Sequence, residues 1–343
     1  MKKRLKTSVK IVIGIIVCLA VAGGVVGGVW VWGEYKYRYD VAVVKSGNLK
    51  VYPNEGLEDV AYKLQNENII NNAALLLKFA ASHEKTNVRV GNYELSGGTT
   101  YRSLLNTLTL GKQTPIKLTF NSFRTTERLL GAVARRVLAD SAQLVDFFEK
   151  QSDFSKDNLI SLFIPNTYEV YWTITPQEFY ERMEQEYNRF WSRERLDKAQ
   201  RLGFTPVQIA TIASIVDSET NKVDEMSNVA GVYINRIRKR MPLQADPTVK
   251  FALGDFSIKR VLLKHLEVDS PYNTYKYQGL PPGAICMASI AAIDATLNYA
   301  GHDYYYFCAR EDFSGYHSFA RTLGEHNANA KRYQAELNRL KIK

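Results

Sequence analysis

The first element that the hydrophobic pattern predicts is a membrane span near the N-terminus. Residues 11–33 contain no charged residue, and at about 1.5 Å per residue a helix of this length crosses a hydrocarbon core. Basic residues precede the segment, and aromatic residues mark its far end: Trp30, Trp32, Tyr35 and Tyr37. The pattern predicts a cytoplasmic basic tail over residues 1–10, a transmembrane helix over 11–33 and an extracytoplasmic remainder.

A cleaved signal peptide is the alternative interpretation of the same segment. Such a peptide has a shorter apolar region and ends in a small-x-small cleavage site, whereas this segment ends in Val-Trp-Val-Trp-Gly. The pattern therefore favours an uncleaved, single-pass anchor in the plasma (inner) membrane, with the rest of the chain periplasmic or extracytoplasmic.

Strand-like and helical periods alternate after the anchor. Residues 49–52 and 88–95 alternate in hydrophobicity like strands, while residues 56–64 and 73–81 repeat apolar positions at helical spacing. We expect one small α+β domain over residues 41–120. It serves either as a ligand-binding module or as a spacer between the membrane and the following domain.

The rest of the chain changes character near residue 203. The hydrophobic pattern of residues 121–203 predicts a helical connecting region. This region ends in one long charged helix from Pro176 to about Leu202. Residues 204–343 mix helices with turn-rich segments and an aromatic strand over residues 303–309, which predicts a C-terminal α+β domain. The predicted fold class of the whole chain is thus α+β behind a transmembrane helix.

One helix in the C-terminal domain carries a carboxylate on its apolar face. Thr205 suits the N-cap, Pro206 the first helical position and Gln208 the capping-box partner. At about 100° per residue, Glu219 continues the stripe of apolar residues formed by Ile209, Ile212, Ile215 and Val216. Burial would raise the pKa of this carboxyl group, as a general acid near neutral pH requires. A glutamate that curls into solvent at a fraying helix end is the alternative.

Asp217, two residues before Glu219, faces roughly the opposite side of the helix. The pattern places it where it is free to face water. The helix period therefore ranks Glu219 above Asp217 as a candidate acid.

Composition excludes several classes of function. The 343 residues are 45% hydrophobic with a net charge of +10, but five of the positive charges precede the membrane span: Lys2, Lys3, Arg4, Lys6 and Lys10. The remaining charge is mild and shows no long basic run, which argues against a nucleic-acid partner. The three cysteines and five histidines show no metal-ligand spacing, so we expect neither a metal nor a cofactor.

Several short segments, in order, resemble the endolytic murein transglycosylases of the YceG-like family. The resemblance covers nearly the whole extracytoplasmic part and keeps the order of the motifs. Its segments are residues 91–95, 163–168, 214–220, 229–236, 243–249, 271–275, 279–283, 305–307, 317–319 and 326–327.

The resemblance implies an enzyme anchored by one N-terminal helix, with a LysM-like small domain and a catalytic domain over residues 204–343. Members cut the β-1,4 bond between N-acetylmuramic acid and N-acetylglucosamine within nascent glycan strands, leave 1,6-anhydro-muramic ends and thereby terminate elongation. By position the catalytic glutamate is Glu219, and Asp217 stands where members often have a second glutamate. Peptidoglycan is the implied substrate, and peptidoglycan synthases are candidate partners.

The remaining candidate residues come from the loops and the helix around Glu219. Asp246 precedes a proline and an apolar run, so helix capping is preferred to direct chemistry. His317 is a candidate for proton transfer, although a structural histidine is the safer interpretation. Candidate substrate contacts, each weighed against an ordinary structural role, are Gln244, Asp246, Thr248, Tyr272, Asn273, Thr274, Asn235, Arg236 and His317.

Two other functions stay open at this point. One is a non-catalytic, membrane-anchored peptidoglycan-binding or scaffold protein of the cell-wall synthesis machinery. The other is a hydrolytic muramidase, which usually needs two carboxylates beside the scissile bond, whereas a lytic enzyme needs only one acid because the sugar supplies its own nucleophile.

Overall fold

A computed structural model describes residues 7–340 of the chain. Helix α1, Thr7–Tyr39, contains a 31-residue candidate membrane span, Val9–Tyr39, in which a window of 18 residues has a mean hydropathy of 2.7. None of that window is buried inside the protein, which is compatible with the predicted single-pass anchor, whereas Tyr37 near the end of the helix is 3% exposed. Most of the predicted basic tail, residues 1–6, lies outside the described residues.

The chain divides into two compact units, which are described separately. The first runs to Ile116 and also includes Tyr171–Thr173. After α1 it contains five further elements: β1 Gly47–Val51, α2 Leu57–Asn66, α3 Ala73–Ser82, β2 Gly91–Leu95 and α4 Tyr101–Leu110. Strands β1 and β2 pair antiparallel from Gly47 opposite Leu95 to Val51 opposite Gly91. The alternating hydrophobicity of residues 49–52 and 88–95 predicts this pair, although both strands begin or end within a few residues of the expected bounds.

Three residues from far along the chain complete the first unit. Trp172 is 3% exposed, and its ring packs edge-on against Tyr52 with ring centroids 5.1 Å apart. The Lys50 ammonium lies 5.4 Å from the same ring, and Thr173 shares a hydrogen bond with Gln113. The segment 171–173 therefore packs onto a unit that otherwise ends at Ile116.

The second unit comprises Lys117–Val170 and the chain from Ile174 onward. Its first half contains β3 Ile116–Thr119, which begins at the boundary, α5 Thr126–Ala134, α6 Ser141–Gln151, β4 Thr167–Val170, α7 Pro176–Phe190 and α8 Arg193–Leu202, with a 3₁₀ turn at Leu159–Leu162. Strand β3 pairs with β4 and not with β1 or β2.

The prediction of one long charged helix from Pro176 to Leu202 was wrong. The helix breaks after Phe190, and a second one starts at Arg193. Trp191 at the break is 4% exposed. The break between the two helices places this large ring in the core. The helical period of the sequence does not predict the break.

The second half of this unit contains α9 Pro206–Glu219, α10 Met226–Arg238, α11 Asp246–Leu253, α12 Ile290–Leu297, β5 Tyr306–Ala309, β6 His317–Ala320 and α13 Leu323–Arg339, with a 3₁₀ turn at Leu263–Glu267. Helices α9, α10 and α12 pack on one another around a core that includes Ile212, Ile215 and Ile293. Strands β5 and β6 form an antiparallel hairpin against α10 and α13.

Within residues 7–340 the protein thus contains 13 α-helices and six short strands, which agrees with the predicted α+β class. The LysM-like character of the small domain and the division at residues 120 and 203 stay predictions.

Candidate active site

Helix α9 begins and ends as its sequence predicts. The Thr205 hydroxyl accepts a hydrogen bond from the Gln208 backbone N–H at 3.2 Å, and the Gln208 side chain accepts one from the Thr205 N–H at 2.9 Å. Pro206 occupies the first helical position, and Glu219 is the last residue of the helix. The capped N-terminus sets where α9 begins, and the buried apolar stripe sets which face of the helix is turned inward. Together they determine the direction in which the Glu219 side chain points.

The side chain of Glu219 is half-buried, and its carboxyl group is bound by one tyrosine. Tyr233 on α10 donates its hydroxyl to Glu219 Oε1 at 2.8 Å, and Tyr233 itself is 2% exposed. Burial raises the pKa of Glu219 to about 7; the Tyr233 hydrogen bond opposes this shift, while the charge of Asp246 adds to it and that of Lys250 opposes it. Near neutral pH the group exchanges a proton readily.

Asp217 lies on the opposite side of α9, as predicted, but it does not face water freely. Its carboxylate accepts hydrogen bonds from the Ser289 hydroxyl at 2.7 Å and the Ser289 N–H at 3.2 Å. Ser289 is the N-cap of α12. Asp217 therefore joins α9 to α12, and its side chain takes a structural position.

A cleft of about 400 Å³ opens in front of Glu219. Helices α9 and α10, the segment before α11 and the β5–β6 hairpin contribute its walls. The lining residues are Glu219, Tyr233, Arg236, Leu243, Gln244, Asp246, Tyr275, Tyr306, Phe307, Cys308, Ala309, His317, Leu323 and His326. A cavity of this size with aromatic walls and several hydrogen-bonding groups suits a polar ligand such as a sugar.

Asp246 belongs to this cleft and does not cap α11. Its Oδ1 accepts a hydrogen bond from the Tyr275 hydroxyl at 2.6 Å, and no side chain caps the N-terminus of α11. The preference for capping was therefore wrong. The helix starts one residue earlier than the cap interpretation requires, so Asp246 occupies its first turn and directs its carboxylate to Tyr275.

Arg236 lines the cleft, but its guanidinium is engaged by backbone carbonyls. Nε donates to Tyr305 O at 2.6 Å, and Nη1 donates to Leu243 O at 2.8 Å and Pro242 O at 3.1 Å. Arg236 therefore joins the segment before α11 to the chain entering β5. It holds two walls of the cleft together.

Gln244 projects from a strained backbone position into the same cleft. Its φ is 53°, in the left-handed region that non-glycine residues rarely occupy. Its N–H donates to Thr274 O at 3.1 Å, and its side-chain oxygen lies 3.3 Å from Arg236 Nη1. Gln244 is exposed in the cleft, as a substrate contact would be.

Five predicted contacts do not line the cleft. Thr248 and Thr274 are buried and share a hydrogen bond of 2.8 Å, and Asn273 is fully buried, with its amide donating to Leu266 O and Val268 O. Tyr272 donates to Asp157, and Asn235 donates to His302 O and Tyr304 O. These side chains brace the loops that surround the cleft.

The structure adds cleft residues that we did not predict from the sequence. They are chiefly aromatic: Tyr233, Tyr275, Tyr306 and His326. A signal existed for Tyr233, which lies three residues before Arg236 and four after Val229 and so shares one helix face with both. Tyr275 could be identified only from the structure, because a loop brings it to Asp246.

No metal site is apparent in the part of the chain that the structure describes: residues 7–340 contain no group of three or more metal-ligating side chains. Cys286 is buried, whereas Cys308 is half-buried and lines the cleft.

Comparison with known proteins identifies the family. Residues 49–332 match the sequence profile of the YceG-like family. The chain belongs to this family. A crystal structure of a putative YceG-like protein from Listeria monocytogenes superposes with a TM-score of 0.56 at 27% identity, covering 83% of this chain and 98% of that one.

Two relatives are named endolytic murein transglycosylase. The protein from Bacillus subtilis is 42% identical over 131 residues, which are 38% of this chain and 36% of that protein. The protein from Streptococcus pneumoniae strain D39 is 25% identical, over 95% of this chain and 66% of that protein. The chain thus spans less than two thirds of the length of either relative.

Proposed function

We propose that this protein is a membrane-anchored, endolytic peptidoglycan lytic transglycosylase. The observation that carries the proposal is the carboxyl group of Glu219, which burial gives a pKa of about 7 and which faces a sugar-sized cleft. The names of the relatives and the membership of the YceG-like family support the same activity.

Glu219 acts first as an acid and then as a base. With a pKa near 7, a substantial fraction of the molecules carries the protonated form at neutral pH. The proton passes to the oxygen between N-acetylmuramic acid and N-acetylglucosamine as that bond breaks. The resulting carboxylate removes the proton from the C6 hydroxyl of the muramic residue, and O6 bonds to C1 to give the 1,6-anhydro end.

The nucleophile belongs to the substrate, so no water has to be positioned. An intramolecular hydroxyl reacts with a high effective concentration. Tyr233 holds Glu219 in place through its 2.8 Å hydrogen bond and stabilises the carboxylate after proton donation. Asp246, held by Tyr275, supplies negative charge on another wall of the cleft, which stabilises the positive charge that develops on the sugar ring.

A hydrolytic muramidase is the second candidate, and the position of Asp246 favours it. Two carboxyl groups line one cleft, as in glycoside hydrolases that retain or invert configuration. The two activities differ in product, because hydrolysis leaves a reducing end and the lytic reaction leaves an anhydro end. A non-catalytic scaffold would leave the strands intact.

The long apolar helix α1 supports the proposed location. The protein is held in the plasma membrane by one span, with its N-terminus in the cytoplasm and the chain beyond residue 40 outside. Nascent glycan strands at the outer membrane surface are then within reach, so that cutting them terminates their elongation. Resistance of the chain beyond residue 40 to protease added outside spheroplasts would contradict this topology.

The decisive experiment incubates the full-length protein with purified glycan strands and identifies the new ends by mass spectrometry. We expect 1,6-anhydro ends from the wild type and a loss of at least about a thousandfold in rate for Glu219→Gln, since the general acid and base is removed. Asp217→Asn, on the same helix but outside the cleft, serves as the matched control and keeps the activity. Anhydro ends from Glu219→Gln at the wild-type rate would refute the assignment.

A further inference from the structure

A second buried carboxylate lies beside the cleft without lining it. Glu225, just before α10, is 3% exposed. Its carboxylate accepts hydrogen bonds from the His317 N–H at 2.7 Å, His317 Nδ1 at 2.8 Å and the Thr220 hydroxyl at 3.3 Å. Since a buried charge is stable only when it is well bonded, these three donors fix Glu225 in one position.

The bond to Glu225 determines which nitrogen of His317 carries the proton. A carboxylate only accepts hydrogen bonds, so Nδ1 of His317 donates, and in the neutral ring Nε2 keeps its lone pair. Within residues 7–340 no group hydrogen-bonds to Nε2, and the side chain lines the cleft in front of Glu219. The cleft thus contains an oriented hydrogen-bond acceptor that the chemistry of Glu219 does not use.

The ring is also fixed relative to Glu219. It packs edge-on against Phe307, with centroids 5.1 Å apart, and Phe307 packs edge-on against Tyr233 at 5.9 Å. Tyr233 in turn donates to Glu219. Thr220, which donates to Glu225, directly follows Glu219, so two separate sets of contacts set the position of His317 relative to the acid.

We propose that His317 is a substrate-contacting residue whose Nε2 accepts a hydrogen bond from a hydroxyl group of the glycan, with Glu225 as its positioning residue. Sugars offer hydroxyl donors in every ring, and an acceptor at this position beside the acid fixes one ring against Glu219. The proposal rests on the proposed function in one respect: it takes the ligand of the cleft to be a glycan strand.

Two substitutions separate this role from a structural one. His317→Asn keeps an amide N–H near the position of Nδ1, where it can donate to Glu225, but has nothing at the position of Nε2. His317→Gln reaches the position of Nε2 with an amide oxygen and gives up the bond to Glu225. Both are made in the full-length protein, and thermal unfolding checks that each is folded.

We expect His317→Asn to raise KM for purified glycan strands about fivefold while kcat stays close to the wild-type value, because one hydrogen bond of about 1 kcal/mol is lost in ground and transition states alike. His317→Gln recovers part of that loss. Wild-type KM in a folded His317→Asn protein would overturn the proposal, since a purely structural histidine is satisfied by the bond to Glu225.

A binding measurement keeps this proposal separate from the catalytic one. Glycan affinity is compared between Glu219→Gln and the double variant Glu219→Gln with His317→Asn, neither of which needs to turn over. A fivefold weaker affinity of the double variant supports the contact even if the wild type yields no anhydro ends, which would refute only the proposed function. Equal affinities refute the contact even if anhydro ends form.

A spectroscopic measurement covers the case in which a variant fails to fold. In the Glu219→Gln protein labelled with ¹⁵N-histidine, we expect the Nε2 signal of His317 to shift when glycan strands are added. An Nε2 signal that does not move on saturation with glycan would contradict the contact.

Discussion

At the scale of single residues, one hydroxyl group adjusts the acidity of Glu219. Tyr233 donates to the carboxyl group and thereby favours its ionised form, which opposes the larger effect of burial. The balance leaves the pKa at about 7, so the fraction of protonated Glu219 falls about tenfold per pH unit well above that value, and the proposed mechanism predicts the same fall in rate.

We predict that Tyr233→Phe moves the alkaline limb of the pH profile of kcat/KM to higher pH. Without the hydroxyl the carboxylate loses a stabilising bond while burial remains, so the pKa of Glu219 rises further. The measurement is kcat/KM for glycan strands between pH 5 and 10, in steps of about half a unit.

Tyr168→Phe is the matched control for this experiment. Tyr168 is 2% exposed and donates its hydroxyl to Ile164 O at 2.6 Å, away from the cleft. It loses a buried hydrogen bond of about 1 kcal/mol without touching Glu219. An alkaline limb that stays in place in Tyr233→Phe, or moves equally in both variants, would show that Tyr233 does not set the acidity.

The helical period was sufficient to place Glu219 on the apolar face of α9. Thr205, Pro206 and Gln208 define where α9 begins, and the period then orders every later position by face. It was insufficient for Asp246 and Tyr275, whose contact joins residues 29 positions apart through a loop. Residues such as Asn273 look like binding residues in sequence because loop bracing and sugar binding use the same amides.

At the scale of elements, one glycine sets how closely α10 approaches the loop before β5. A Cβ on Gly231 would lie 2.6 Å from His302 Nε2 and 2.7 Å from Ala300 O. The same loop accepts the Asn235 amide at His302 O. The absence of a side chain at position 231 therefore brings α10, with Tyr233 and Arg236, against the chain that enters β5.

We predict opposite effects for two glycine-to-alanine substitutions in helices. Gly231→Ala forces α10 and its loop apart and lowers the free energy of unfolding by about 1–3 kcal/mol. Gly131→Ala, in α5, meets no atom within 4 Å and raises it by about 0.5–1 kcal/mol through helix propensity. Urea unfolding of both variants tests this, and a stabilised Gly231→Ala protein would disprove the close approach.

Some helix ends can be predicted from the sequence pattern and others cannot. The start of α9 is encoded by its capping residues, whereas the break between α7 and α8 is not. It depends on the burial of Trp191, a tertiary effect that overrides good local helix propensity. The period predicted helical structure on both sides of the break and missed the break itself.

At the scale of the whole molecule, the order of residues along the chain does not follow the two compact units. Tyr171–Thr173 belongs to the first unit, although the chain on both sides of it belongs to the second. Nothing in the pattern of residues 162–171 predicts this, because a short aromatic stretch after a proline also suits an ordinary packed loop.

We predict that Trp172→Ala destabilises the first unit selectively, by about 3 kcal/mol or more, as expected when a large buried ring is removed. Hydrogen exchange measured by mass spectrometry should become faster in β1 and β2 and stay unchanged in α9. Tyr171→Ala is the control, since that side chain is 53% exposed. Faster exchange in α9 alone would contradict the assignment of Trp172 to the first unit.

The position of Trp172 also has a consequence for biosynthesis. A chain made from its N-terminus reaches Ile116 before residues 171–173, which also belong to the first unit, exist. At roughly 5–20 residues per second, the intervening segment takes on the order of several seconds to appear. The N-terminal unit therefore spends that time with an open edge around Tyr52 and completes its folding only after the first part of its C-terminal neighbour has been synthesised.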